Sequence, residues 1–551
     1  MFNQRELVFL PLGGCGQIGM NMSLYGFDGS WLLVDCGVTF GDDLTPGIEV
    51  IVPDPHFISK NAEDLVGIVI THAHEDHLGA LPYLWRHLNC PIYLTSFAAG
   101  LLRRKLTETG LADAVQIIEI SLGGRVSLGP FEVSFIPVAH SVPETQAIAI
   151  KTDLGTILHA SDWKIDTEPM VGPKTDETVF RKFRESNLLA LMCDSTNIFV
   201  DGRAGSEGPL RQSMIEVIAG CEERVAVAFF ASNVARMETC IQAALETKRR
   251  VALVGRSLLR IFEIAKECGY LSEYPDIIDQ KDIAYLPRNE VLMLVTGSQG
   301  EPKAALSRIA ENEHPDISFS EGDTVIFSSR EIPGNERSIG RLKNQLARQN
   351  LKIIEEGDAF VHVSGHPARE EIKELYEWVN PPLLVPIHGE VRHLMEHCKF
   401  AKKLGIPSVS LVENGEILRL APGQSKVVDK VQSGRYAVDG RRLIPLNGGI
   451  VRARRRMNFS GNVMLTIVLD KKCELLREPQ VSAPGLVDDG GQDIQLQEQV
   501  ISNIVKSIET MSKKQRLDEE KLKRNVSRDV RKVFYIETGK RPMVLVHIVR
   551  I

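Results

Sequence analysis

The segment His72-Ala73-His74-Glu75-Asp76-His77 carries three histidines and an aspartate within six residues, directly after the apolar run 68–71. Imidazole and carboxylate are the groups zinc accepts, at about 2.0–2.2 Å. In an extended segment, His72 and His74 turn to one side and can grip one ion. Asp76 and His77, where the chain bends into a helix, can reach a second. A polar loop with chance histidines is the plain alternative. It leaves a crowd of polar groups unexplained at the end of a buried strand, where such groups need partners.

More ligands must come from other strand ends. Asp35 closes the run Ser-Trp-Leu-Leu-Val-Asp at 30–35, and His140 follows the apolar stretch 131–136. Asp162 stands in Ala160-Ser161-Asp162-Trp163, and His388 in Val385-Pro386-Ile387-His388-Gly389. Each closes an apolar run, so one sheet edge can gather them all. Any one alone reads as a turn or capping residue. Beside the histidine cluster, His140, Asp162 and His388 read as ligands. Asp35 stays open between direct ligation and holding a ligand histidine by its free N–H.

A second group of residues suits an anion. His362, Val363, Ser364, Gly365 and His366 form a compact, donor-rich turn, and Asp194 follows the apolar run 188–192. Ser232, Asn233 and Val234 come between the apolar run 225–230 and a helical stretch. Free N–H groups at a helix start favour phosphate, whereas Ser or Asn there is also an ordinary N-cap. Both readings stand. The cluster Arg-Ala-Arg-Arg-Arg at 452–456 is read as solvated surface, with a phosphate-backbone contact as the alternative.

These residues need a scaffold. Buried-strand patterns recur at 7–12, 30–35, 65–70, 92–94, 131–136, 147–151 and 156–159, which predicts a sheet-on-sheet core with helices outside. From 210 to 346 helical and strand patterns alternate, which predicts an inserted α/β domain. Strand-like runs resume at 359–363, 383–387 and 408–412. The stretch 477–495, with Pro479, Pro484, Gly485, Asp488, Asp489, Gly490 and Gly491, reads as a linker ahead of a small α/β tail. The predicted divisions are a core in two parts, 1–203 and 356–450, an insertion at 204–355, a linker region at 451–495 and a C-terminal domain at 496–551.

Composition sets outer limits. The 551 residues are 43% apolar, 25% charged and 6% aromatic, ordinary values for a folded chain of several domains. No run of 18 apolar residues is present, and the start Met1-Phe2-Asn3-Gln4-Arg5-Glu6 lacks a signal pattern. Nine scattered cysteines without a CxxC pair read as reduced thiols, so a cytoplasmic location is expected. The net charge of −7 argues against a nonspecific nucleic-acid coat but leaves room for a local basic channel.

In combination the motifs are specific. The HxHxDH cluster with its later His, Asp and His resembles the metallo-β-lactamase fold, and the insertion with the 362–366 turn resembles the β-CASP nucleases. Adding Pro11-Leu12-Gly13-Gly14, Asp194-Ser195-Thr196-Asn197, Thr296-Gly297-Ser298-Gln299-Gly300-Glu301 and Val385-Pro386-Ile387-His388-Gly389-Glu390, the chain is similar to the bacterial ribonuclease J family over about 7–455, and the tail is expected to follow it.

The resemblance implies a four-layer αβ/βα core with an inserted β-CASP domain and two zinc ions. His72, His74 and His140 would hold the first ion, Asp76, His77 and His388 the second, and Asp162 would bridge them. Such a pair of ions activates water and steadies the entering and leaving oxygens of a phosphodiester. It further implies proton transfer by Asp194 as donor and His366 as acceptor. Substrate binding falls to Ser232, Asn233, Val234 and to His362, Val363, Ser364, Gly365 and His366, around an RNA 5′-monophosphate. Gly47 and Glu49 align with a calcium-binding turn of some relatives, though 452–456, taken as its complement, holds no acid.

The implied activity is 5′-to-3′ exonucleolytic and endonucleolytic RNA cleavage in decay and ribosomal RNA maturation, by a homodimer or homotetramer. A DNA-acting β-CASP nuclease is the alternative, but those members usually carry valine where this chain has His388. A small-molecule metallo-hydrolase explains neither the insertion nor the 362–366 turn, and a catalytically dead scaffold is disfavoured by the complete ligand set.

Overall fold

The computed structural model describes residues 5–274, 277–332, 334–487 and 492–551. The readings made for Met1 to Gln4 and for Asp488, Asp489, Gly490 and Gly491 lie outside the described residues. Two compact units emerge: 1–39 with 52–434, and 40–51 with 435–551.

In the first unit two sheets face each other. One is eight-stranded, in the order Lys426–Lys430, Glu416–Ala421, Leu7–Gly13, Met22–Phe27, Ser30–Val34, Leu65–Val69, Ile92–Leu94, Ile117–Glu119. The other is seven-stranded: Arg125–Leu128, Phe131–Pro137, Gln146–Thr152, Gly155–His159, Leu188–Asp194, Leu383–Ile387, Ser408–Val409. Phe9, Tyr25 and Leu32 of the first pack with Phe131, Phe135 and Ile150 of the second in one buried cluster. The far face of the second sheet packs Leu158 and Leu191 against Phe180, Leu375 and Trp378 of two helices. Strands buried on both faces need continuous apolar runs rather than alternation, which is why 65–70 and 188–192 read as they do.

Register explains the site. Gly155–His159, Leu188–Asp194 and Leu383–Ile387 are parallel neighbours, with His159 opposite Met192 and Asp194 opposite Ile387. Asp162, Asp194 and His388 therefore leave the sheet at one edge. Ser30–Val34 and Leu65–Val69 are also parallel neighbours, which places Asp35 beside the start of the histidine segment.

Between Leu188–Asp194 and Leu383–Ile387 the chain builds a five-stranded, wholly parallel sheet, ordered Arg250–Val254, Val291–Val295, Val225–Ala228, Thr324–Phe327, Lys352–Ile354. Connections from Val225–Ala228 run to one side and later strands to the other. The carboxyl end of Val225–Ala228 is thus the switch point where such sheets bind ligands, and Ser232 and Asn233 lie just beyond it. The run 359–363, expected as a strand, is a bend followed by coil. Its Val361 carbonyl bonds side chains of Arg236 and Ser328 instead of a neighbouring strand.

The second unit corrects two boundaries. Residues 40–51 and 435–450, assigned above to the core, group with the tail. The expected linker region 451–495 holds a helix, Gly449–Ser460, and strands Asn462–Leu469 and Gln480–Ser482. Asn462–Leu469 pairs in parallel with Met543–Arg550 along its whole length, from Asn462–Met543 to Leu469–Arg550. The helices Gln492–Thr510 and Glu519–Thr538 cover one face, with Val463, Leu465 and Ile467 packed against Val500, Val526 and Phe534. Among the described residues no helix is long and apolar enough to cross a membrane.

Candidate metal centre

The strand ends carry backbone strain at the places where side chains must be aimed. Asp35, Ser161 and His388 all adopt left-handed φ, at 63°, 55° and 50°, a conformation costing about 1–2 kcal/mol for such residues and concentrated at functional sites. Close approach is equally demanding. A Cβ on Gly37 would lie 1.7 Å from the Asp76 carbonyl oxygen, and one on Gly365 2.8 Å from His140 Cε1.

Three groups of donor atoms result, two of them the expected ligand sets and the third formed by Asp162, Asp194, His366 and His388. Donor atoms of His72, His74, His140 and Asp162 lie within 4.8 Å of one another, as do those of Asp76, His77, Asp162 and His388. In the first set His74 Nδ1 is 3.1 Å from His72 Nε2 and 3.2 Å from His140 Nε2, so three ring nitrogens converge. In the second, His388 Nε2 is 3.2 Å from Asp76 Oδ2. Asp162 stands between the sets. Its Oδ2 is 3.7 Å from His72, 3.8 Å from His140 and 3.3 Å from His77. Both Asp162 Oδ2 and His388 Nε2 are buried without hydrogen-bond geometry to any partner. A buried carboxylate oxygen without a donor is costly unless a cation supplies the missing interaction. The nitrogen and oxygen donors, their convergence and the orphaned oxygen all fit a divalent metal pair.

The outer partners aim the rings. His77 Nδ1 donates to Asp35 Oδ2 at 2.7 Å, and the same carboxylate accepts the Thr71 N–H and hydroxyl, each at 2.9 Å. Asp35 therefore holds His77 by its free N–H, one of the two readings left open above, and belongs to neither ligand set. His72 Nδ1 meets Thr71 Oγ1 at 2.9 Å, and His140 Nδ1 donates to the Gly365 carbonyl at 2.6 Å. Each bond leaves the other ring nitrogen facing the centre.

Burial pushes His72 and His140 well down and His74 down to about 4. Burial works the same way on His77 and His388, but Asp162 and neighbouring carboxylates outweigh it and raise both. The first set thus presents neutral imidazoles, the form that binds metal.

Asp194 and His366 adjoin this centre. His366 Nδ1 is 2.7 Å from Asp194 Oδ2, and Asp194 Oδ1 accepts from Thr196 N at 2.8 Å and Thr196 Oγ1 at 2.7 Å. Asn197 Nδ2 donates to Ser364 Oγ at 2.8 Å and to the His366 carbonyl at 3.0 Å, fixing the 362–366 turn. His362 is pushed down to about 3 by burial, then by Arg236 and Arg330, and its Nδ1 is buried without a partner. Asn233 Oδ1 accepts from Arg236 N at 2.8 Å, so its side chain is an N-cap. Its own N–H and that of Val234 close a turn on Phe230 and Ser232.

Gly47 and Glu49 line a cavity of about 560 Å³ together with Asp42 and Asp43. The stretch 452–456 supplies no acid, and Asp439, between the lining residues Val438 and Gly440, is bonded to Arg454 at 2.8 Å and Arg442 at 2.9 Å.

Sequence reasoning missed several buried partners. Glu371, fully buried, accepts the N–H groups of Ile165, Ala204 and Ala368 at 2.9, 2.7 and 2.9 Å. It thereby fastens the segment after Asp162, the start of the insertion and the segment after His366. His397 is buried and bonds Ser195 Oγ at 2.9 Å and Tyr376 OH at 2.5 Å. No local signal marks any of these residues.

Comparison with known proteins agrees with this geometry. The family description "Ribonuclease J, beta-CASP domain" matches residues 222–346, "Metallo-beta-lactamase superfamily" 16–173, "Zn-dependent metallo-hydrolase RNA specificity domain" 355–410 and "Ribonuclease J C-terminal domain" 449–551. Ribonuclease J of Sinorhizobium meliloti is 41% identical over 100% of this chain and 98% of its own length. The chain belongs to the ribonuclease J family. Ribonuclease J of Helicobacter pylori strain J99 is 33% identical over 98% of this chain and 78% of its own. Ribonuclease J2 of Bacillus subtilis is 30% identical over 98% of both. A solved structure, a protein of unknown function from Enterococcus faecalis V583, aligns with TM-score 0.54 at 16% identity over 75% of this chain and all of the other, a likeness of fold alone. The ribonuclease J C-terminal match begins at the first residue of the helix Gly449–Ser460, two residues ahead of the region 451–495 expected as a linker, and runs through that region. Of the candidate ligands, His72 to Asp162 fall in the metallo-β-lactamase match and His388 in the RNA-specificity match.

Proposed function

We propose that this chain is a metal-dependent ribonuclease that holds two zinc ions and cleaves RNA both 5′-to-3′ from its end and internally, in RNA decay and ribosomal RNA maturation in the cytoplasm. The observation that carries the metal reading is Asp162 Oδ2, buried, unpartnered and placed between two convergent ligand sets. His72, His74 and His140 would hold one ion, Asp76, His77 and His388 the other, with Asp162 shared. Bound there, such ions lower the pKa of a water toward about 7 and offset charge on a phosphodiester.

The chain's own groups do the rest. Asp35 keeps the Nδ1–H tautomer of His77. Asp194 and His366 act as a pair in proton transfer. Asp194, expected as donor, accepts three hydrogen bonds and is suited to orient His366. The proton then moves at His366 Nε2, opposite the nitrogen held by Asp194.

The substrate set is Ser232, Asn233, Val234, His362, Val363, Ser364, Gly365 and His366. The location of Ser232 and Asn233 at the switch point of the parallel sheet supports the reading, as do the buried, unpartnered Nδ1 of His362 and the nearby Arg330 side chain, 46% exposed. A 5′-monophosphate suits this limited set of donors. A triphosphate adds charge that must be desolvated without full pairing, which is costly. A calcium ion at Gly47 and Glu49, where Asp42 and Asp43 line the same cavity, stays a secondary reading.

Self-association as a homodimer or homotetramer is supported by the tail. Met464 and Leu545 are opposite each other on adjacent strands and are 44% and 46% exposed.

The deciding experiment offers purified protein a 3′-labelled RNA with 5′-monophosphate, the same RNA with 5′-triphosphate, and the DNA counterpart, with metal analysis of the same preparation. Rapid decay of the monophosphorylated RNA alone, with about two zinc per chain, is expected. Equal decay from both RNA ends overturns the 5′-end reading, and preferred cleavage of DNA favours the DNA-acting alternative.

A further inference from the structure

We infer that Arg236 is a positioning residue that sets the spacing between the two turns of the 5′-phosphate site, an inference that rests on the reading of that site given above. One turn, at Ser232 and Asn233, belongs to the inserted domain. The other, at 362–366, belongs to the segment that returns to the core. Neither covers the proposed site alone, so their separation decides whether a phosphate is gripped from both sides.

Arg236 joins them directly. Its backbone N–H is capped by Asn233 Oδ1 at 2.8 Å, which ties it to the first turn. Its Nη1 donates to the Val361 carbonyl at 3.2 Å, one residue before His362, and to the Ser328 carbonyl at 3.1 Å. Ser328 Oγ donates to the same Val361 oxygen at 2.6 Å. Nη2 and Nε reach Glu207 at 3.2 and 3.4 Å. The planar fork is thus spent on three separate segments, a geometry that lysine cannot reproduce.

The network continues toward the metal centre. Glu207 N–H donates to Asp166 Oδ2 at 3.2 Å, and Lys164 Nζ is 2.7 Å from the same oxygen, two residues beyond Asp162. Lys164, Asp166, Glu207 and Arg236 are 1%, 2%, 2% and 0% exposed. Buried ions of this kind are often replaced by apolar residues with no loss of stability, so stability alone is a poor reason for them. What an ionic lattice supplies and an apolar core does not is a fixed set of directions and distances. Here the fixed distance runs from the phosphate turns to the ligand loop. A 5′ end held at a set distance from the scissile bond yields products of one length.

The test uses the full-length metal-loaded protein with Arg236→Lys and the milder Ser328→Ala, which leaves the guanidinium in place. Substrates are a linear 5′-monophosphorylated RNA, its 5′-hydroxyl form, and a circular RNA that has no 5′ end. Arg236→Lys should raise KM on the monophosphorylated RNA by about tenfold, since misplacement by about an ångström costs that much or more. The loss on circular RNA should be at least about fivefold smaller. Ser328→Ala should move the same way by less, and both variants should broaden the length distribution of products from the 5′ end. Equal losses on linear and circular RNA with one product length would mean a merely structural role and overturn the inference. So would an unchanged preference for 5′-monophosphate in Ser328→Ala, should Arg236→Lys fail to fold. A wild-type protein that treats 5′-monophosphate and 5′-hydroxyl alike overturns the phosphate site itself, and the inference with it.

Discussion

His366 Nδ1 meets Asp194 Oδ2 at 2.7 Å, across 172 residues of sequence. Burial pushes this imidazole down, but Asp194 and Asp162 outweigh it and the net shift is upward. Asp194→Asn removes one of the two anions. The pKa of His366 should fall, and a base that must be neutral to accept a proton should then work at lower pH. The rising acid limb of the pH–rate profile should move to lower pH while the maximal rate drops about 10²–10⁴-fold. Steady-state rates from pH 5 to 9, with metal content measured alongside, check this. An unmoved acid limb removes His366 from proton transfer.

The ligand sets and their outer partner predict different losses. His77→Ala and Asp162→Ala each delete a donor that no neighbour replaces, so both bound metal and cleavage should be lost. Asp35→Asn keeps the shape but weakens the hold on His77 Nδ1, and should lower metal affinity or activity by roughly 10–100-fold. Metal titration of all three variants separates the cases. Full stoichiometry in His77→Ala would sink the assignment.

His397 sets an acid limit on stability. Burial pushes it down to about 4, against about 6.5 in the unfolded chain. Between those values the unfolded state binds a proton that the folded state refuses. This contribution is fully present above pH 6.5 and is lost as pH falls to 4, amounting to about 3 kcal/mol. In His397→Gln the slope of stability against pH in this window should be shallower by about one proton. Urea unfolding at pH 7, 6 and 5 reads the slope. Equal slopes for both proteins would show that His397 charges without unfolding the site.

The tail should carry self-association. A cut after Pro479 would split Asn462–Leu469 from its partner Met543–Arg550, so the informative cut precedes Gly449. Removal of 449–551 should lower the oligomeric state seen by light scattering and leave metal content unchanged, since none of its described residues is in a group that could hold a metal. An unchanged oligomer would show that the tail only stabilises its own chain.

Residue order alone carried the histidine segment, because His72, His74, Asp76 and His77 are near neighbours whose geometry follows from one strand end and one turn. It carried the strands closed by Asp162, Asp194 and His388 too, since burial on both faces leaves an uninterrupted apolar run. Tertiary structure decided the rest, because the rest depends on partners far apart in the chain. Asp35 holds a histidine 42 residues away. Asn233 caps its own helix, and Asp194 is spent as an acceptor. Arg236 and Glu371 carry no local pattern, and their roles exist only where separated segments meet. Pro479 and Gly485 mark turns, but turn composition cannot say whether the flanking segments part or pair. Here Asn462–Leu469 pairs with a strand at the end of the chain, and what read as a linker is part of a core.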